Sequence, residues 1–87
     1  MAEVVLPRSL VALFPGLPRR LPVEAATVGE LVAEVDRLAP GFADRVLTVG
    51  PAIREHLNVF VDGELADLPT PVGPRSVVHV IPAVSGG

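Results

Sequence analysis

The chain has 87 residues, 49% hydrophobic and 20% charged, with a net charge of −3, which describes one small globular domain and excludes a disordered chain. Cysteine is absent, which excludes a disulfide framework, a thiolate metal site and a thiol nucleophile. No stretch reaches the ~18 apolar residues of a membrane span and no signal-peptide pattern opens the chain, so the expected setting is cytoplasmic, away from membranes.

Glu3-Val4-Val5-Leu6 predicts a short strand limited by Pro7. Leu10, Val11, Leu13 and Phe14 form an apolar cluster of unclear period, a strand or a single helical turn, ended by Pro15-Gly16. Arg20 to Glu24 alternates polar and apolar and predicts a second strand, at a sheet edge because of Pro22. Thr27-Val28-Gly29-Glu30 fits a capping box. Val28, Leu31, Val32, Val35, Leu38 and Ala39 then mark one face of a helix that Pro40-Gly41 stops. One more turn is expected over Phe42 to Leu47, and a loop at Gly50-Pro51. Leu57 to Val61 reads as a strand, Asp62-Gly63 as a type I′ turn and Glu64-Leu65-Ala66 as a short return. Pro69, Pro71, Gly73 and Pro74 argue against regular structure, and Val77 to Ile81 is the last strand, closed by Pro82. The order β-β-α-β-(β)-β predicts an α+β fold of the β-grasp, ubiquitin-like kind. It has a four- to five-stranded mixed sheet with its first and last strands parallel, and one main helix on one face. The domain is expected over residues 1–82 and a flexible tail over 83–87.

The chain ends Val84-Ser85-Gly86-Gly87. Two glycines make the thinnest tail a protein can carry, able to thread a narrow channel and present a carboxylate to a buried site. That carboxylate is anionic at neutral pH and a poor electrophile, so an enzyme must activate it, most simply by adenylation with ATP.

The strand order, the Thr-capped helix, the Asn58-Val59-Phe60-Val61-Asp62-Gly63 hairpin and the Pro82-Ala83-Val84-Ser85-Gly86-Gly87 ending together resemble the MoaD/ThiS family of ubiquitin-like sulfur carriers. The likeness spans nearly the whole chain and runs to the cysteine-biosynthesis type of carrier and the small subunit of molybdopterin synthase. Ser76 to Ile81 is also similar to a stretch of ubiquitin's last strand. The resemblance implies a carrier that performs no catalysis and binds no cofactor. An E1-like enzyme would adenylate Gly87 with ATP. A sulfur donor, a persulfide or sulfurtransferase, would then leave a thiocarboxylate on Gly87, and an acceptor synthase would receive the sulfur. Gly86 and Gly87 are the reactive end.

Ala83, Val84 and Ser85 are expected to lie in partner grooves. If Val59 and Val61 face the helix, Phe60 points to the open face, with His79 and Ile81 beside it as a docking patch. The alternative places Phe60 in the core beneath residues 64–75. His56 and His79 lack paired carboxylates, so no metal site is expected. Asp62 belongs to its turn, and Glu64 and Asp67 read as solvated or partner-facing charge. Gly29, inside the helix, has no evident role. All seven cations are arginines, scattered at positions 8, 19, 20, 37, 45, 54 and 75, with no stacking aromatics among them, so nucleic acid is not an expected partner. The lack of lysine fits a codon bias, and also a chain whose activated end must meet no amine of its own. The rival function is a ubiquitin-like modifier joined through its terminal glycine to lysines of other proteins; a plain binding subunit is a third. The acceptor is left open among cysteine, molybdopterin, thiazole and thio-metabolite precursors.

Overall fold

The computed structural model describes residues 1–83. Strand β1 (Ala2–Val5) is followed by a helical turn, α1 (Arg8–Val11), and an edge strand, β2 (Arg20–Val23). The main helix α2 (Val28–Leu38) and a short α3 (Phe42–Val46) come next. A small hairpin, β3 (Leu47–Thr48) and β4 (Ala52–Ile53), precedes β5 (Leu57–Val61), β6 (Glu64–Ala66) and β7 (Val77–Pro82). The five-stranded sheet runs β2-β1-β7-β5-β6, with β1 and β7 parallel and the other neighbours antiparallel. This is the mixed β-grasp sheet expected from the order of elements.

Local chemistry accounts for the main elements. The Thr27 hydroxyl accepts from the Glu30 amide at 3.1 Å, closing the first turn of α2. Glu30 reaches back to the Ala26 amide, also 3.1 Å. The apolar stripe of α2 puts Val28, Leu31, Val32 and Val35 into the core, against Val4, Val59, Val78 and Val80 of the sheet. The Asp36 carboxylate accepts from the Gly41 and Ala43 amides at 3.2 and 2.9 Å, which fixes the start of α3. Its first residue, Phe42, is fully buried.

The ambiguous cluster at 10–14 resolves as a helical turn that buries Leu10, followed by non-helical turns that leave Leu13 exposed. The first strand begins one residue earlier than expected, yet Leu6 is buried and its amide still reaches the Arg19 carbonyl at 2.7 Å. The loop expected at Gly50-Pro51 is the turn of the β3–β4 hairpin, whose two short strands are an addition.

The proline-rich stretch lacks regular structure apart from one bridge, Thr27 to Pro71. It is nevertheless fixed: the Val28 and Gly29 amides donate to the carbonyls of Thr70 and Leu68 at 3.1 and 2.9 Å. These are orphan donors at the helix start, satisfied here by a passing strap. A Cβ at Gly29 would sit 3.4 Å from the Leu68 carbonyl oxygen. That is an ordinary contact, so the strap leaves room for alanine at position 29 and does not by itself require glycine.

Candidate functional site: the open sheet face and the end of β7

Alternation along the strands separates two faces. Val59, Val61, Val78 and Val80 are buried beneath α2, while none of Val5, Asn58, Phe60, Leu65, Val77, His79 and Ile81 is buried. Phe60 lies opposite His79 across the β5–β7 pair, and Ile81 opposite Asn58. Phe60 is half-buried and is absent from the core cluster and from the residues packed on it, so it does not lie beneath residues 64–75.

The strand register extends this patch beyond the three residues expected. Arg20 pairs with Val5, Val5 with His79, His79 with Phe60 and Phe60 with Leu65. One row thus crosses all five strands, with Leu65 at the far edge 69% exposed. Ile81, 42% exposed, stands two residues beyond His79 on the same face, diagonal to Phe60. Sequence reasoning missed Val5 and Leu65. They alternate correctly in their own strands, but only the register places them in the row.

The turn at Asp62-Gly63 has positive φ at both residues, 50° and 87°, as a type I′ turn requires. Asp62 does more than turn. Its carboxylate accepts from the Val77 amide at 2.9 Å and from the Ser76 hydroxyl at 2.8 Å, and its own amide donates to the Val77 carbonyl. The Ser76 oxygen accepts in turn from the Gly73 amide at 2.9 Å. The Val77 amide first, and the Ser76 hydroxyl second, hold the Asp62 carboxyl below the ordinary aspartate range. This clasp joins the β5–β6 hairpin to the start of β7 and so fixes the register that pairs Phe60 with His79.

At its other end β7 carries the chain past β5. Leu57 pairs with Pro82, and the Ala83 amide donates to the His56 carbonyl at 2.8 Å. The ladder thus runs one residue into the segment expected to be free tail. Val84, Ser85, Gly86 and Gly87, with the reactive end expected there, lie outside the described residues. His56 and His79 sit on different stretches, and no group of three metal-ligating side chains occurs among the described residues. Among those residues no helix is long and apolar enough to cross a membrane.

The model of the ThiS family matches residues 12–87, from the turn after α1 through the terminal diglycine. This chain belongs to the ThiS family. Solved structures agree on its fold. A chain of the Amycolatopsis orientalis BexX/CysO complex matches with a TM-score of 0.86 at 23% identity, covering 100% of both chains. Mycobacterium tuberculosis CysO matches at 0.86 and 20% identity, over 97% of this chain and 100% of that one. Haloferax volcanii SAMP1 matches at 0.80 and 27% identity, over 99% and 98%. No curated protein sequence matches the chain. Membership in the ThiS family makes this protein a small ubiquitin-like carrier rather than a catalyst.

Proposed function

We propose that the chain carries sulfur as a thiocarboxylate on Gly87 and delivers it to a biosynthetic acceptor in the cytoplasm. The observation that carries this reading is the ThiS-family match, which runs through Gly86 and Gly87. An E1-like enzyme joins the Gly87 carboxylate to the AMP of ATP and releases pyrophosphate. The terminal sulfur of a persulfide on the sulfur donor then displaces AMP at the carbonyl carbon, giving an acyl disulfide. A thiol of the donor protein or a small-molecule thiol attacks the donor's sulfur, forming a disulfide and releasing the Gly87 thiocarboxylate. The product sulfur is softer and more nucleophilic than the oxygen it replaces, and an acceptor synthase directs its attack. The protein's own contribution is recognition. The row from Arg20 to Leu65, with His79 and Phe60 at its centre and Ile81 beside it, is the surface on which partners dock. Val84 and Ser85, beyond the Ala83 amide that is held by the His56 carbonyl, pair with partner backbone as an added strand. The BexX/CysO complex, which contains a chain of this fold, supports a role that includes binding a partner protein.

The second reading is favoured by SAMP1, described as a small archaeal modifier protein: conjugation of Gly87 to lysines of other proteins. Reacting the chain with an activating enzyme, ATP and a sulfur source, then measuring intact mass, tests both. Exchange of one oxygen for sulfur supports the carrier; high-mass covalent adducts support the modifier; an unchanged mass overturns both.

A further inference from the structure

A groove of about 630 Å³ opens beside the end of β7, lined by Leu13, Phe14, Gly41, Arg45, Arg54 and His56 among others. We infer that this groove receives an acidic loop of the enzyme that adenylates the chain; the inference rests on the carrier reading above.

Position is the first argument. His56 lines the groove, and its carbonyl holds the Ala83 amide at 2.8 Å. Gly87 lies four residues beyond Ala83, so its carboxylate is at most about 18 Å of extended chain from the Ala83 amide. An enzyme that holds this carboxylate against its ATP must close around the segment, and it therefore bears on whatever flanks the root.

The floor of the groove is also preformed. The Phe14 ring packs on the buried Phe42 ring, with centroids 5.9 Å apart. Gly41 takes a φ of 98° beside it, where a Cβ would come within 3.6 Å of Phe14 Cε1. That distance is an ordinary contact with the ring, and it is the positive φ that makes a residue larger than glycine strained there.

Charge gives the partner's chemistry. Arg54 donates through Nε and Nη2 to the Asp44 backbone carbonyl at 3.2 and 2.7 Å, which holds its guanidinium in place without neutralising it. Arg45 is exposed and makes no hydrogen bond or ion pair among the described residues. The ion pairs among those residues lie elsewhere, Arg20 with Glu3 and Arg37 with Glu34. The groove thus sets two guanidinium groups against one carboxylate, Asp44, in a chain whose net charge is −3. A complementary partner surface is acidic there, and its charge acts mainly on encounter and apparent affinity.

The test is ATP–pyrophosphate exchange by the cognate E1-like enzyme, with carrier concentration varied. Arg45→Glu is the main variant, because the Arg45 side chain makes no hydrogen bond or ion pair among the described residues; a thermal melt checks that the fold is retained. Its KM for the carrier should rise about 10-fold with little change in kcat, and its KM should depend less on salt than that of the wild type. Arg54→Lys, which keeps the charge, should stay within about 3-fold of the wild type. Arg75→Glu, at the opposite end of β7, should stay within about 2-fold. A wild-type KM matched by Arg45→Glu overturns the inference and leaves the carrier reading intact. So does normal exchange with Arg45→Glu but weakened sulfur delivery to the acceptor, which would give the groove to the synthase. Absence of exchange with the wild type overturns the carrier reading itself, and the inference with it.

Discussion

Replacing Phe60 with alanine should separate docking from packing. Phe60 stands on the open face, half-buried, between His79 and Leu65 on the neighbouring strands. Truncation there removes cross-strand contacts worth about 0.2–1 kcal/mol each but leaves no enclosed cavity. The expected loss of stability is about 1 kcal/mol, or about 4–8 °C in Tm for a domain this small. Phe42 provides the internal comparison. It is 0% exposed and packs on Phe14, so Phe42→Ala should cost about 3–5 kcal/mol, a large share of the domain's stability. Partner affinity of Phe60→Ala should fall further than its stability. An aromatic anchor at the centre of an interface commonly costs about 2 kcal/mol or more when truncated, roughly 30-fold in Kd. Urea denaturation of both variants, with titration of Phe60→Ala against the activating enzyme and the acceptor synthase, supplies every number. A stability loss at Phe60 equal to that at Phe42, or unchanged affinity for both partners, would refute the docking face.

Gly29→Ala should leave Tm unchanged or raise it by up to about 1 kcal/mol of stability, since alanine is the better helix former and a Cβ fits at 3.4 Å from the Leu68 oxygen. Gly29→Leu has no such room and should be destabilised in the same melt. Thr27→Ala removes the bond to the Glu30 amide and should cost about 1 kcal/mol by urea titration. Asp62 titrates below the ordinary aspartate range in the folded state, so its contribution to stability is complete above about pH 4 and is lost as pH falls through the lower folded value. Asp62→Asn should therefore be less stable than the wild type at pH 7, with the gap closing in strong acid; a gap constant from pH 7 to pH 2 would contradict the clasp.

The elements that could be read from the sequence are those whose signals are local. Thr27 and Glu30 mark the start of α2 within four residues, the valine and leucine spacing gives its buried face, and Asp62-Gly63 dictates its own turn. Short elements carry too little pattern. The four residues of α1 barely complete one helical turn, and the two-residue strands β3 and β4 cannot show an alternation. Long-range features were hidden for a different reason. The strap that satisfies the α2 amides comes from residues 68–72, and no local signal at Gly29 announces its arrival. Phe60 could be assigned a face by alternation, but its neighbours Val5 and Leu65 depend on the register of three separate strand pairs. Arg45 and Arg54 looked scattered along the chain because only the α3 and β3–β4 geometry brings them together beside His56.

If sulfur rides on Gly87, fragmentation of the carboxy-terminal peptide after reaction with the activating enzyme, ATP and a sulfur source will locate it there. The chain has no cysteine, so a persulfide on its own thiol cannot imitate the product. The whole mass gain, sulfur in place of one oxygen, should localise to Gly87, and a chain lacking Gly87 should melt like the wild type yet gain nothing. Sulfur found on any other residue, or gained equally without Gly87, would contradict a thiocarboxylate at Gly87.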